Sequence, residues 1–168
     1  MVRGFCRAID TLNEWVAKCV SFLFIPLAGI VAIDVLLRFG FNRPLIWSWD
    51  INSQLLGVLV ILSGGWTLLK EGHVRIDVLW GRLSLRKRAM VDLITSLFFF
   101  LGIGVLLWQA ASAALVSVQT GERYSSYFAP PIYPLKIIIV LGIFLLLLQG
   151  IVKFIRDLLL LTKGGDRP

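Results

Sequence analysis

Charge is scarce in these 168 residues: only 16% are Asp, Glu, Lys or Arg, against 58% that are apolar. A soluble domain carries nearer a quarter charged residues, and a chain this short cannot bury such an apolar excess in one core. That excludes a soluble globular enzyme. Histidine is scarcer still, since His73 stands alone. One histidine cannot supply the paired ligands of a helical haem site or a His-rich zinc site. The two cysteines, Cys6 and Cys19, share no CxxC spacing and have no second cluster to meet, so they read as small apolar residues. A Walker lysine motif is missing, as is a histidine placed to activate a serine or cysteine. The expectation is no enzyme, no cofactor and no metal site.

What the chain has in abundance is long apolar runs. They predict membrane spans over about 15–37, 47–69, 90–118 and 132–152, the last with a helical extension to 161 before Gly164-Gly165. A 23-residue helix reaches roughly 35 Å, enough for a hydrocarbon core of roughly 30 Å. Pro26 falls within the first run and predicts a kink. That run is too long for a signal-peptide core and continues into Asp34 and Arg38, so it reads as a retained anchor. The fold class expected is an all-α integral membrane protein, one membrane domain over 1–168.

The basic residues, 17 in all and part of a net charge of +7, are unevenly shared. With four spans, 13 fall on the side of the N-terminus, the 70–90 loop and the C-terminus, and only Arg38, Arg43, Arg123 and Lys136 on the other. The positive-inside rule then predicts both termini in the cytoplasm. Basicity here is a topology signal, so no nucleic-acid partner is expected.

Between spans two and three, Ile76, Leu79, Trp80 and Leu83 recur at helical spacing opposite Arg75, Arg82 and Arg86. This predicts an interfacial amphipathic helix over about 73–87, resting on membrane lipid at the cytoplasmic face. It is either a plain connector or a docking surface, and His73 reads as a loop-fixing residue. On the opposite side Asn42-Arg43-Pro44 predicts a turn. Asp34 and Arg38 stand at i, i+4, where they can pair. With Arg43 and Asp50 they mark the outer ends of spans one and two as a candidate polar network, and Trp49 beside them is a candidate structural or partner-interface residue. Gly57, Gly64 and Gly65 are candidate close-packing positions on span two. The second outer loop, with Tyr124, Tyr127, Phe128 and three prolines over 130–134, reads as an aromatic anchor or a partner site. Ionisable residues avoid the middle of every span, whereas pumps and carriers mark their paths with them. Alone, the chain is expected to transport nothing.

Several of these features together resemble the small membrane subunit (DctQ-like, or Q subunit) of the tripartite ATP-independent periplasmic, or TRAP, transporters. They are Arg38 with Asn42-Arg43-Pro44, Trp47 with Trp49-Asp50, and above all Gly72-His73-Val74-Arg75-Ile76-Asp77. Leu83-Ser84 before Arg86-Lys87-Arg88, Pro134-Leu135-Lys136 and Leu148-Gln149-Gly150 add to the likeness. Many members carry glutamate where this chain has Asp50. The resemblance implies a non-catalytic partner of a large multispan transport subunit that holds the substrate and sodium sites. It also implies a periplasmic substrate-binding protein delivering an organic acid, and a multi-pass location in the bacterial inner membrane. His73, Arg75 and Asp77 enter as candidate structural or partner-interface residues on this likeness. The competing expectation is a self-sufficient small carrier or channel acting as a homo-oligomer.

Overall fold

The computed structural model describes residues 2–70 and 85–162. They form five helices: α1 (Val2–Ser21), α2 (Phe24–Phe41), α3 (Ser48–Leu69), α4 (Leu85–Thr120) and α5 (Tyr133–Thr162). Extended structure among the described residues is limited to an isolated bridge between Arg123 and Pro131. Four helical stretches are long and apolar enough to cross a bilayer: Gly4–Phe41, Ser48–Leu69, Thr95–Thr120 and Tyr133–Leu159. The chain is an all-α, multi-pass membrane protein.

The first stretch differs from the single kinked helix expected over 15–37. It breaks at Phe22 and Leu23, and two helices result. Pro26 is the cause. Its ring collides with the carbonyl four residues earlier, at Phe22, and it has no N–H to offer that carbonyl. The backbone tightens instead, with Leu23 N donating to Val20 O at 2.9 Å and Ile25 N to Phe22 O at 3.2 Å. α1 is strongly amphipathic, whereas α2 is apolar almost all round. The third expected span, 90–118, lies inside the longer α4, and α5 begins and ends within a residue of the fourth with its extension. Most of the expected 73–87 interfacial helix, including His73, Arg75 and Asp77, lies outside the described residues; 85–87 belong to α4.

The spans pack as an open row, α4 against α5, α5 against α3, and α3 against α2. A closed four-helix bundle would also join the two ends of that row. Here α2 and α4 share no extensive contact among the described residues. α1 lies over the α3–α5 seam, where Cys6 and Ile9 pack against Val152 with Leu148 and Ile155 around them. Glycines set two close approaches on α5. At Gly142 an added Cβ would come 3.0 Å from the backbone oxygen of Ile61 on α3. At Gly150 it would strike the ring of Phe99 on α4, which itself meets Phe100 edge-on, as Phe100 meets Phe154. Away from these seams the helices present bare apolar side chains, among them Phe24, Leu36 and Phe39 on α2 and Leu97, Phe98 and Trp108 on α4. A water-soluble monomer would not tolerate such patches; a lipid-embedded row does.

Candidate functional site

Polar side chains gather toward the two opposite ends of the helices, and the end where α2 turns into α3 is the richer. α2 stops because Asn42 adopts a left-handed conformation (φ 49°), and Arg43 N reaches back to Leu37 O at 3.0 Å. This is a Schellman-type ending with proline just beyond, as the Asn42-Arg43-Pro44 run predicts. Asp34, buried roughly two helical turns before the end of α2, fastens the turn. One of its oxygens accepts from Arg38 Nη2 at 2.8 Å, and the other from Leu45 N at 2.8 Å. The buried Ser48, first residue of α3, lies beside the same carboxylate. Asp34 therefore ties two helices through one side chain.

Asp50 sits in the first turn of α3, where the partial positive charge of the helix end favours an anion. It is 3% exposed and accepts a hydrogen bond from the Ser126 hydroxyl. Ser126 Oγ in turn accepts from Ala129 N at 3.1 Å and so holds Ala129 at φ 47°, a region that disfavours residues with a Cβ. The α4–α5 connection is thereby folded down onto α3. Its own stem is closed by Tyr124 N to Pro130 O and Ile132 N to Glu122 O. Glu122 pairs with Lys136. The Lys136 ammonium, with a smaller part from Ser117, holds the Glu122 carboxyl below the usual glutamate range.

The four charged residues expected to share one network thus fall into separate groups. Asp34 and Arg38 pair with each other, and Asp50 turns to Ser126. Arg43 forms no ion pair among the described residues; its backbone caps α2 while its side chain is exposed. Trp49 is 77% exposed beside them. On α3, Gly57 meets Leu135 at ordinary contact distance, Gly64 has nothing within 4 Å, and Gly65 is closely approached.

That approach belongs to a second cluster, at the opposite end, which the sequence reading did not foresee. Asn13 of α1 is fully buried, and a Cβ on Gly65 would fall 2.0 Å from its Oδ1. Asn13 Nδ2 donates to Gln149 Oε1 at 2.8 Å and to Ile9 O at 3.1 Å. Gln149 Nε2 donates to Asp10 Oδ1 at 2.9 Å, and Arg156 closes the chain on the other Asp10 oxygen. Asn13 Oδ1 itself has no hydrogen-bond donor among the described residues. It faces the Gly65 backbone, where a Cα–H contact is the weak substitute available. The recurrence of Cys6, Ile9, Asn13 and Val20 at helical spacing was the readable signal for a docked α1.

These clusters join helices; each described carboxylate in them is met by donors of its own chain. Among the described residues no group of three or more His, Cys, Asp and Glu side chains could hold a metal ion.

Comparison with known proteins gives two matches. The family description "Tripartite ATP-independent periplasmic transporters, DctQ component" fits residues 27–160. The chain is also 29% identical, over 112 residues, to "Sialic acid TRAP transporter permease protein SiaT" of Haemophilus influenzae (strain 86-028NP). That alignment takes in 63% of this chain and 18% of the relative, so the chain spans under a fifth of the protein it matches.

Proposed function

We propose that this chain, which belongs to the DctQ component family of the tripartite ATP-independent periplasmic transporters, is the non-catalytic small permease subunit that scaffolds a large transport subunit. The observation that carries the reading is the open row. Its polar clusters pin helix to helix at the two opposite ends of the helices, and its broad apolar faces remain available to lipid and to a partner. A structure of that kind gives a moving partner something fixed to work against. Its described residues offer no convergent donors for a carboxylate substrate along the spans and no oxygen cage for sodium.

On this reading the large subunit supplies the substrate and sodium sites, and a periplasmic binding protein delivers the substrate. An organic acid is the substrate class, and the sialic acid in the relative's name is one of that class. On the same reading the membrane is the bacterial inner membrane, and the 13-to-4 division of basic residues supports an orientation with both termini in the cytoplasm. The Asp34–Arg38 and Asp50–Ser126 clusters then lie at the periplasmic ends of their helices. Gly64, Trp49 and Arg43, which are open within the chain, are the positions offered to the large subunit.

Affinity purification of the tagged chain from its native membranes tests the assignment. Recovery of a much larger multispan protein in fixed stoichiometry is the expected result. A chain that purifies only with copies of itself, and that conducts ions or solutes in liposomes, would favour a self-sufficient homo-oligomeric carrier or channel instead.

A further inference from the structure

α1 and the residue that follows it carry three stripes, each held on one side by spacings of three, four or seven residues. Cys6, Ile9, Asn13 and Val20 are buried against the rest of the chain. Arg7, Thr11, Glu14 and Lys18 form a polar stripe, in which Glu14 and Lys18 pair at 3.1 Å. The third stripe, Phe5, Leu12, Trp15, Cys19 and Phe22, is apolar and exposed, with Trp15 at 67% and Phe22 at 69%. Nothing among the described residues covers it.

The polar stripe decides where α1 lies. From Arg7 to Lys18 it runs roughly 16 Å along the helix, and charges spread over that length cannot be threaded through hydrocarbon cheaply. The apolar stripe has the opposite need and must leave water. Both demands are met only when α1 lies along the boundary, with one stripe wet and the other in the acyl chains. Its C-terminal end is already fixed there, since two residues separate it from α2, whose length and composition suit a span. Across the break at Leu23 the exposed Phe22 is followed by the exposed Phe24 and Ile25 of α2. The stripe therefore continues the surface that α2 turns to the bilayer. Trp15 and Lys18 are residue types that settle at headgroup depth.

We propose that α1 is an interfacial helix whose stripe of Phe5, Leu12, Trp15, Cys19 and Phe22 is covered by phospholipid acyl chains. Asn13, Gln149, Asp10 and Arg156 hold its inner side to the row while lipid holds its outer side. This placement rests on α2 crossing the bilayer and is independent of the transport role, so failure of either leaves the other standing.

The test is a spin-label scan of the full chain in vesicles of phosphatidylethanolamine and phosphatidylglycerol, with any co-purifying subunit retained. Single cysteines are placed at Thr11, Leu12, Glu14, Trp15, Lys18 and Cys19 in a Cys6→Ala, Cys19→Ala background. Collision with oxygen, which concentrates in lipid, is compared with collision with a water-soluble nickel chelate. The oxygen-to-nickel ratio is expected to be several-fold higher at 12, 15 and 19 than at 11, 14 and 18. Nickel access at 12, 15 and 19 equal to that at the polar positions would overturn the proposal. So would shielding from both reagents, which would mean that protein covers the stripe. If the background substitutions impair folding, the native chain serves, because Cys19 is exposed and Cys6 is buried. Its single label at Cys19 is then expected to favour oxygen, and nickel preference would overturn the proposal equally.

Discussion

At Gly65 an added methyl group would fall 2.0 Å from Asn13 Oδ1, whereas at the neighbouring Gly64 it would meet nothing within 4 Å. The pair separates packing inside the chain from packing against a partner. Gly65→Ala is expected to lower the melting temperature of the purified chain, with overpacking costing about 1–3 kcal/mol. Gly64→Ala is expected to leave it unchanged or raise it, because alanine favours helix by about 1 kcal/mol over glycine. Asp34 divides in the same way. Asp34→Asn keeps an acceptor for Leu45 N, while Asp34→Leu strands that N–H and should cost about 1–3 kcal/mol more in a chemical-denaturation series. Glu122 gives a pH signature. Its folded pKa is depressed below the ordinary value of 4.5 by Lys136, so its contribution is fully present above that value. It is lost as the pH falls through the lowered folded value. Melting curves of the native chain should therefore show an acid-side loss of stability that Glu122→Gln reduces. At this scale the sequence was legible where partners are close along the chain: Asp34 with Arg38, and Asn42 before Pro44. It was silent where partners are far apart. Asn13 and Gln149 are 136 positions apart, and nothing in either neighbourhood names the other.

Among elements, the break between α1 and α2 is the main departure from the sequence reading. The proline was visible and a kink was expected; the separation into two helices with different surroundings was not. Trp15 to Val20 read as the start of the first span, over about 15–37. Yet α1 is an amphipathic helix docked over the α3–α5 seam through Asn13 and Gln149. Pro26→Ala restores the missing backbone donor and should let α1 and α2 straighten into one helix, drawing α1 away from α5. A Val152→Cys substitution facing the native Cys6, in a Cys19→Ala background, reports this directly and keeps the Asn13–Gln149 contact in place. Disulfide formation under mild oxidation is expected to be efficient with Pro26 in place and to fall several-fold with Pro26→Ala. Equal yields in both backgrounds would mean that the docking contacts, and not the proline, set the position of α1. The glycines show the same limit of pattern reading. The sequence singled out Gly57, Gly64 and Gly65, of which Gly65 alone is tightly approached, while the close approaches at Gly142 and Gly150 carried no such signal. Facing sides of helices are fixed only when the neighbours are known.

For the molecule as a whole, composition and hydropathy were sufficient for class: four long apolar helices follow from the shortage of charge and the length of the runs. They were insufficient for arrangement, because an open row and a closed bundle need the same apolar composition in lipid, where helix faces gain no hydrophobic driving force from meeting one another. The row gives α2 a single extensive neighbour and leaves both outer helices bare. On the proposed function that bareness is what a scaffold needs: outward apolar faces against which a larger subunit would be held. The most direct test is uptake of a labelled organic acid by proteoliposomes carrying this chain, its co-purifying large subunit, or both, with the cognate binding protein outside and a sodium gradient imposed. A scaffold predicts sodium-dependent uptake by the pair with binding protein, and none by this chain alone. Uptake or ion flux through vesicles containing only this chain would contradict it.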